Sequence, residues 1–85
     1  MKHAGPDALD GIEPLLDKVR RHSGLTEKKR GTFYRKSSAF LHFHEDPAGM
    51  FADVKLGGVE FQRFRVTTKA EQTDFLRRVA KELDV

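Results

Sequence analysis

Residues 32–66 read TFYRKSSAFLHFHEDPAGMFADVKLGGVEFQRFRV and set the architecture of the chain. Aromatic and β-branched residues recur there in four short segments, which is the composition of β-strands. The segments are 32–36, 39–45, 50–56 and 59–66, separated by turn residues at 37–38, 46–49 and 57–58. Connections this short join antiparallel neighbours, because parallel strands need a crossover of about a dozen residues or more. The stretch therefore predicts a four-stranded antiparallel β-meander.

An amphipathic helix is predicted on each side of this meander. Upstream, apolar residues recur at the i, i+3, i+4 and i+7 positions of a helix near 11–23. They are Ile12, Leu15, Leu16 and Val19. Downstream, Thr68 and Glu71 have the spacing of a capping box that begins a second helix. The order is then α-β-β-β-β-α, an α+β fold with both helices on one face of the sheet. Residues 1–10 lack periodicity and are predicted to be a flexible N-terminal lead-in to a single α+β domain at 11–85.

The turns also predict a strand register. A turn at 46–49 places residue 45 opposite 50, so that His42 faces Asp53. A two-residue hairpin at 57–58 places residue 56 opposite 59, and residue 51 opposite 64. One face of the sheet then carries the predicted core residues Ala39, Leu41, Phe43, Met50, Ala52, Val54, Leu56, Val59 and Phe61. For the first hairpin the sequence allows two alternatives. A two-residue turn at 37–38 would point Tyr34 into the core, and a three-residue turn would point Phe33 into the core.

Composition bounds the class of protein. The chain has 85 residues, 38% hydrophobic and 34% charged, which fits one small globular domain. Because it contains no cysteine, a disulfide framework, a thiolate zinc site and a cysteine nucleophile are excluded. No apolar run reaches the roughly 18 residues that span a bilayer, and the first residues lack the apolar stretch of a signal peptide. We therefore expect a cytoplasmic protein with no membrane partner, and since no nucleotide-binding glycine motif is present, we expect no cofactor.

Positive charge is concentrated in one stretch. The formal net charge is +3, but residues 18–36 alone hold eight basic residues against Glu27, a net of +7. The basic residues are Lys18, Arg20, Arg21, Lys28, Lys29, Arg30, Arg35 and Lys36. Such a cluster is typical of binding to nucleic acid with weak sequence preference, through phosphate contacts. The alternative is a solvated helix end and loop whose cations complement the helix dipole.

The second face of the predicted sheet combines aromatic and polar side chains. It carries the predicted binding residues Phe40, His42, His44, Phe51, Asp53, Gln62 and Phe64. Solvent-facing aromatic residues in that number usually mark an interaction site, so the first functional hypothesis is a non-catalytic module that binds a protein partner or a second copy of itself. The alternative is that a helix or the N-terminal segment covers this face.

Metal chemistry is the third hypothesis. Histidines two residues apart on a strand point the same way, and a carboxylate on the neighbouring strand completes a possible metal triad of His42, His44 and Asp53. A metal-dependent enzyme would use these three side chains, whereas packing among Phe40 and Phe51 explains them without a metal. No catalytic nucleophile is predicted, because Ser37 and Ser38 are explained as turn residues.

The strand block 32–55, together with 64–68, resembles a group of small bacterial proteins that have no assigned activity. The resemblance extends over about residues 25–80 and implies a stand-alone cytoplasmic bacterial domain. The same block is more loosely similar to the YjbR-like proteins, whose strands carry an F-x(n)-K-x-F-A pattern. That similarity implies a DNA-related role.

Overall fold

A computed structural model describes residues 1–83 and shows an α+β fold, as predicted. Six strands and three helices follow one another along the chain. They are β1 (Lys2–His3), α1 (Pro6–Gly11), α2 (Glu13–Arg20), β2 (Thr26–Lys29), β3 (Thr32–Arg35), β4 (Ser38–Asp46), β5 (Gly49–Val54), β6 (Gln62–Arg65) and α3 (Lys69–Leu83). A short 3-10 turn at Leu56–Gly58 separates β5 from β6.

All six strands belong to one antiparallel sheet with the order β2-β3-β4-β5-β6, and β1 pairs with the far end of β4. The four predicted strand segments correspond to β3, β4, β5 and β6, so the sheet has two strands more than predicted. The added β2 pairs with β3 through a hairpin, with Thr26 opposite Tyr34. Its residues are mostly exposed and polar, and they carry no hydrophobic alternation from which a strand is predicted.

The N-terminal segment is part of the packed fold. Residues 1–10, predicted as a lead-in, contain β1 and most of α1, and Leu9 is buried in the core. The predicted helix at 11–23 is divided at Ile12, which lies between α1 and α2. Pro14 explains this division, because proline lacks an amide N–H and is tolerated in the first turn of a helix rather than in its interior. The packed unit therefore begins before residue 11.

A single hydrophobic core lies between the helices and one face of the sheet. The helices contribute Leu9, Ile12, Leu15, Leu16, Val19, Phe75 and Val79, and the sheet contributes Phe33, Phe40, Leu41, Phe43, Ala52 and Val54. Thr68 caps α3 as predicted, since its Oγ1 accepts from the Glu71 amide at 3.2 Å while Glu71 accepts from the Thr68 amide at 2.9 Å. These two hydrogen bonds fix the residue at which the helix begins.

The register between β4 and β5 is the predicted one, with His42 opposite Asp53 and Glu45 opposite Met50. The first hairpin turns at Lys36 and Ser37, which both have positive φ, and Arg35 lies opposite Ser38. Phe33 is the residue that points inward.

Between β5 and β6 the predicted register is wrong by one residue. Phe51 lies opposite Arg65 and Asp53 opposite Arg63, whereas the prediction placed residue 51 opposite 64. The cause is the connection: Gly57 and Gly58, with φ of 78° and 80°, form a 3-10 turn followed by an extended loop, not a two-residue hairpin. Because side chains alternate along a strand, this shift moves every β6 residue to the opposite face.

A bulge in β4 corrects a second assignment. Phe33 lies opposite Leu41 and Tyr34 opposite Ala39, so Phe40 is an extra residue without a partner on β3. The extra residue lets neighbouring side chains face the same way, and Phe40 is buried beside Leu41. Phe40 therefore belongs to the core, not to the open face on which it was predicted.

Candidate functional site

The structure brings His42, His44 and Asp53 together. The two histidines are alternate residues of β4, and Asp53 lies opposite His42 on β5. Nε2 of His42 lies 3.4 Å from Oδ2 of Asp53, and Nε2 of His44 lies 3.2 Å from the same oxygen. One ligand atom from each of the three residues falls within 4.8 Å of the others. The predicted cluster is therefore a real spatial group with one carboxylate oxygen between two imidazoles.

His44 has unsatisfied hydrogen-bonding atoms. Its side chain is 12% exposed, and neither Nδ1 nor Nε2 has a hydrogen-bond partner among residues 1–83. Nε2 is close enough to Asp53 for a hydrogen bond but does not have the required geometry. Buried polar atoms without a partner are rare in folded proteins, because each loses its bonds to water without replacement. His44 therefore holds two nitrogen atoms that the protein itself does not use.

Asp53 is held by Arg63, a residue that the sequence analysis did not assign to this site. Nε of Arg63 donates to Oδ1 at 2.8 Å and Nη2 donates to Oδ2 at 2.9 Å, a two-point ion pair. Burial alone would raise the pKa of Asp53, but the hydrogen bonds and charge of Arg63 and the two histidines lower it below the ordinary value. Burial also lowers the pKa of His42. Near neutral pH the site therefore combines a carboxylate with a neutral imidazole at His42.

A third imidazole comes from the N-terminal strand. His3 lies opposite His44 in the β1–β4 ladder, and the two rings stack with their centroids 4.7 Å apart. The centroid of His3 lies 5.7 Å from that of His42. His3 was not predicted as a site residue, because a two-residue strand has no periodicity to detect. Its position depends entirely on pairing with a strand 40 residues away in sequence.

A pocket gives solvent access to this cluster. It has a volume of about 370 Å³ and is lined by residues of β1, β3 and β4, including His3, Thr32, Tyr34 and His42. Leu9 and Phe43 of the core also line it. β1 and β3 pair with the same edge of β4, one at each end of that strand. A small ion or molecule can therefore approach the imidazoles of His3 and His42 from solvent.

The predicted aromatic binding surface is only partly present. Phe51 lies on the histidine face, opposite His44, and is half-buried. Phe64, predicted on this face, instead lies opposite Ala52 and packs against the core, with its ring centroid 6.2 Å from that of Phe75. Together with the burial of Phe40, this removes two of the three phenylalanines from the surface.

The register shift also moves other residues. Gln62 lies opposite Val54 rather than on the histidine face, and its side chain donates to the Leu56 carbonyl at 3.5 Å. Phe61, predicted in the core, is 41% exposed and its ring contacts that of His42 at 5.0 Å between centroids. Val59, also predicted in the core, is 80% exposed. Arg63 and Phe61 thus take the places beside the histidines that were assigned to Gln62 and Phe64.

The basic stretch 18–36 is partly neutralised by acids. Arg20 donates to Glu27 at 2.6 Å and also to Glu13. Arg30 donates to Asp10 at 2.8 Å and to Glu13 at 2.6 Å. The hydrogen bond from Arg20 lowers the pKa of Glu27, and those from Arg20 and Arg30 lower the pKa of Glu13. These acids come largely from the helices, so the two arginines tie the β2–β3 hairpin to α1 and α2.

A third arginine of the stretch is also paired, since Arg35 donates to Glu82 of α3 at 3.4 Å. Lys28 lies over the ring of Tyr34. Eight basic residues were predicted to contact nucleic acid, and five of them form no ion pair within the described residues. These five are Lys18, Arg21, Lys28, Lys29 and Lys36. They lie on a helix, a strand and two separate turns. Binding to nucleic acid stays a prediction.

Comparison with known proteins gives little about function. The chain is 32% identical to a formin from Candida albicans, Formin BNR1, over 63 residues that make up 74% of this chain. The chain spans about 4% of that formin's length. No family model and no solved structure matches the chain. Within residues 1–83, no helix is both long enough and apolar enough to pass through a lipid bilayer.

Proposed function

We propose that this protein is a small binding module that holds a divalent transition-metal ion on the open face of its sheet, at His42, His44 and Asp53. One observation carries the proposal: two imidazole Nε2 atoms converge on a single carboxylate oxygen, at 3.4 and 3.2 Å. The unpartnered nitrogens of His44 support it, since metal coordination would satisfy one of them. The proposal takes up the third hypothesis of the sequence analysis, that of a metal at these three residues, in place of a protein partner or a second copy on this face.

The distances are close to those of a metal site. Metal–ligand bonds of about 2.0 to 2.2 Å in tetrahedral geometry place ligand atoms roughly 3.3 to 3.6 Å apart. Both nitrogen–oxygen distances are near that range. The 4.8 Å span of the whole group is wider, so the two imidazoles must approach each other by about 1 Å when a metal binds. Small rotations of the two histidine side chains, which are 21% and 12% exposed, supply such a movement.

The donor chemistry favours particular metals. Two imidazoles and one carboxylate suit zinc, nickel or cobalt, whereas magnesium prefers oxygen ligands alone. The lowered pKa of His42 keeps its nitrogen unprotonated near neutral pH, and the lowered pKa of Asp53 keeps the carboxylate charged. Binding should weaken as the pH falls through the lowered pKa of His42, because protonation removes its metal-binding lone pair.

Arg63 is the competitor of the metal. It occupies both carboxylate oxygens of Asp53, and its positive charge repels a cation placed between the histidines. Its side chain is 51% exposed, so it can move into solvent when Oδ2 is needed as a ligand. Removing this charge should therefore strengthen metal binding, a result that a purely structural histidine cluster does not produce.

The test is calorimetric titration with Zn²⁺ and Ni²⁺, with Mg²⁺ as the oxygen-seeking control. We expect His42→Ala and His44→Ala each to weaken Zn²⁺ binding by about tenfold or more. His22→Ala is the matched control, because His22 lies beyond the end of α2, near Lys81 and Leu83, and should leave the affinity unchanged. If His22→Ala weakens binding as much as the two site variants do, or if Zn²⁺ does not bind, the proposal is wrong.

A second variant separates loss of binding from loss of folding. Arg63→Gln should tighten Zn²⁺ binding by about tenfold, because it removes a cation beside the divalent ion and leaves all three ligands in place. An amide NMR spectrum of each variant checks that the fold is retained. Unchanged or weaker binding in folded Arg63→Gln would contradict the assignment of Asp53 as a ligand.

A further inference from the structure

A second pocket lies at the opposite end of β4 from the N-terminal strand. It is formed by the β3–β4 turn and the connection that follows β5, and its volume is about 290 Å³. The lining residues are Arg35, Lys36, Ser38, Ala39, Phe40, Lys55 and Gly58. Three of these seven residues are cationic: Arg35 and Lys36 are neighbours at the β3–β4 turn, and Lys55 follows β5.

The floor of the pocket is apolar. Phe40, the bulge residue of β4, is 3% exposed and lines the pocket from the core side. The guanidinium carbon of Arg35 lies 5.9 Å from the centre of the Phe40 ring. Ala39 adds a methyl group to the wall. An apolar group that enters the pocket therefore meets Ala39 and the small exposed part of Phe40, with a cation next to them.

The charges around the pocket are not balanced. Arg35 contacts Glu82 at 3.4 Å, and the second oxygen of Glu82 accepts from the Gly57 amide at 3.0 Å. Within residues 1–83, neither Lys36 nor Lys55 forms an ion pair. The amino group of Lys55 rests 5.0 Å from the centre of the Phe61 ring instead of on a carboxylate. Two lysines are thus available to an anion that enters the pocket.

The turn geometry keeps one of these lysines at the rim. Lys36 and Ser37 adopt φ of 50° and 69°, which closes the hairpin in two residues between Arg35 and Ser38. On the other side, the Lys55 amide donates to the Phe40 carbonyl at 2.9 Å, which fixes the start of the second wall. The two lysines therefore flank the aromatic floor from separate backbone segments.

We infer that this pocket binds a small organic anion, a carboxylate or a phosphate monoester carried on a flat apolar body. The anionic group would lie between Lys36 and Lys55, and the apolar body would pack against Phe40. This site is independent of the metal proposal, because none of its lining residues belongs to the histidine cluster. It also gives a role to two cations of the chain that form no ion pair within the described residues.

The test is an amide NMR titration with phenyl phosphate and benzoate, with benzyl alcohol as the uncharged control. Both anions should shift amides of residues 35–40 and 55–58, and benzyl alcohol should not. Lys36→Ala and Lys55→Ala should each weaken binding by about fivefold, the effect of one exposed charge pair. The double variant Lys18→Ala/Lys69→Ala removes two positive charges, twice the charge lost in either pocket variant, from exposed sites outside the pocket and should still change the affinity less than about twofold.

Three results would overturn the inference. They are the absence of shifts with either anion, shifts spread over lysines outside the pocket, and an equal loss of affinity in the control double variant. Inorganic phosphate distinguishes the contribution of the apolar floor, since it should bind more weakly than phenyl phosphate. Equal binding of the two phosphates would show that Phe40 takes no part, and the flat apolar body would then be wrong.

Discussion

Replacing each of two phenylalanines near β6 with alanine tests which face of the sheet each phenylalanine occupies. Phe64 is half-buried, its ring lies 6.2 Å from that of Phe75 between centroids, and Arg78 covers it at 5.0 Å. Truncating a fully buried phenylalanine to alanine costs about 3 to 5 kcal/mol, so truncating the half-buried Phe64 should cost about 2 to 3 kcal/mol. Phe61 is 41% exposed, and Phe61→Ala should lose about 1 kcal/mol or less.

Urea denaturation followed by circular dichroism gives both values. An 85-residue domain has a free energy of unfolding of roughly 4 to 13 kcal/mol, so the loss at Phe64 is a large fraction of the total. The melting temperature of Phe64→Ala should fall by about 10 °C or more. A larger loss for Phe61→Ala than for Phe64→Ala would refute the observed β5–β6 register, because the register shifted by one residue exchanges the two positions.

Three further changes probe the core, the β4–β5 turn and the arginine network. Phe43→Ala should reduce the free energy of unfolding by about 3 to 5 kcal/mol, measured in urea, since Phe43 is 3% exposed; near-native stability would contradict its placement in the core. Gly49→Ala should cost about 2 to 3 kcal/mol, because Gly49 has φ of 135° and a Cβ there would collide with the hydroxyl of Thr67; an unchanged melting temperature would contradict this. Glu27→Gln should make the free energy of unfolding depend less steeply on pH in acid. The hydrogen bond from Arg20 lowers the pKa of Glu27 in the folded protein, and this stabilises the fold. That contribution is complete above the unfolded pKa of 4.5 and is lost as the pH falls through the folded pKa. Unfolding curves from pH 7 to 3 that have the same slope in both proteins would contradict that role.

The β4–β5 hairpin could be predicted because its information is local. Alternation of apolar and polar residues along both strands defines their faces, and the Asp46–Gly49 turn allows few registers. His42 and Asp53 were therefore placed opposite each other correctly from sequence. The capping box at Thr68 and Glu71 was equally local, and its hydrogen bonds are present.

The β6 register could have been corrected from the sequence by its charges. The predicted register places Arg63 and Arg65 on the core face, where burial of an unpaired guanidinium is very unfavourable. The observed register turns both arginines outward and turns Phe64 and Val66 inward; Val66 is completely buried. The prediction instead followed Gly57-Gly58, which was interpreted as a two-residue hairpin turn. Two adjacent glycines also permit longer connections.

Neither β1 nor β2 could be predicted from local pattern. Each strand is two to four residues long and mostly exposed, so neither has an alternating apolar face. Their positions come from contacts with distant residues, such as the Gly5 amide donating to Glu45 at 2.7 Å. Similarly, the basic stretch loses part of its charge to Asp10, Glu13 and Glu82, and that pairing depends on the helices folding against the sheet.

The position of Arg63 would allow the proposed site to exist with and without a metal. Asp53 is 10% exposed at its side chain, and a buried carboxylate needs a compensating cation in every state of the protein. Arg63 supplies that cation when the site is empty, and a divalent ion between the histidines would supply it when the site is filled. Because the Arg63 side chain is half-exposed, it can move into water at little cost in free energy. Replacement of Arg63 by the metal would therefore leave the Asp53 carboxylate paired with a cation in both states. In the proposed site His44 would gain most from the exchange, since its buried nitrogens have no hydrogen-bond partner within residues 1–83.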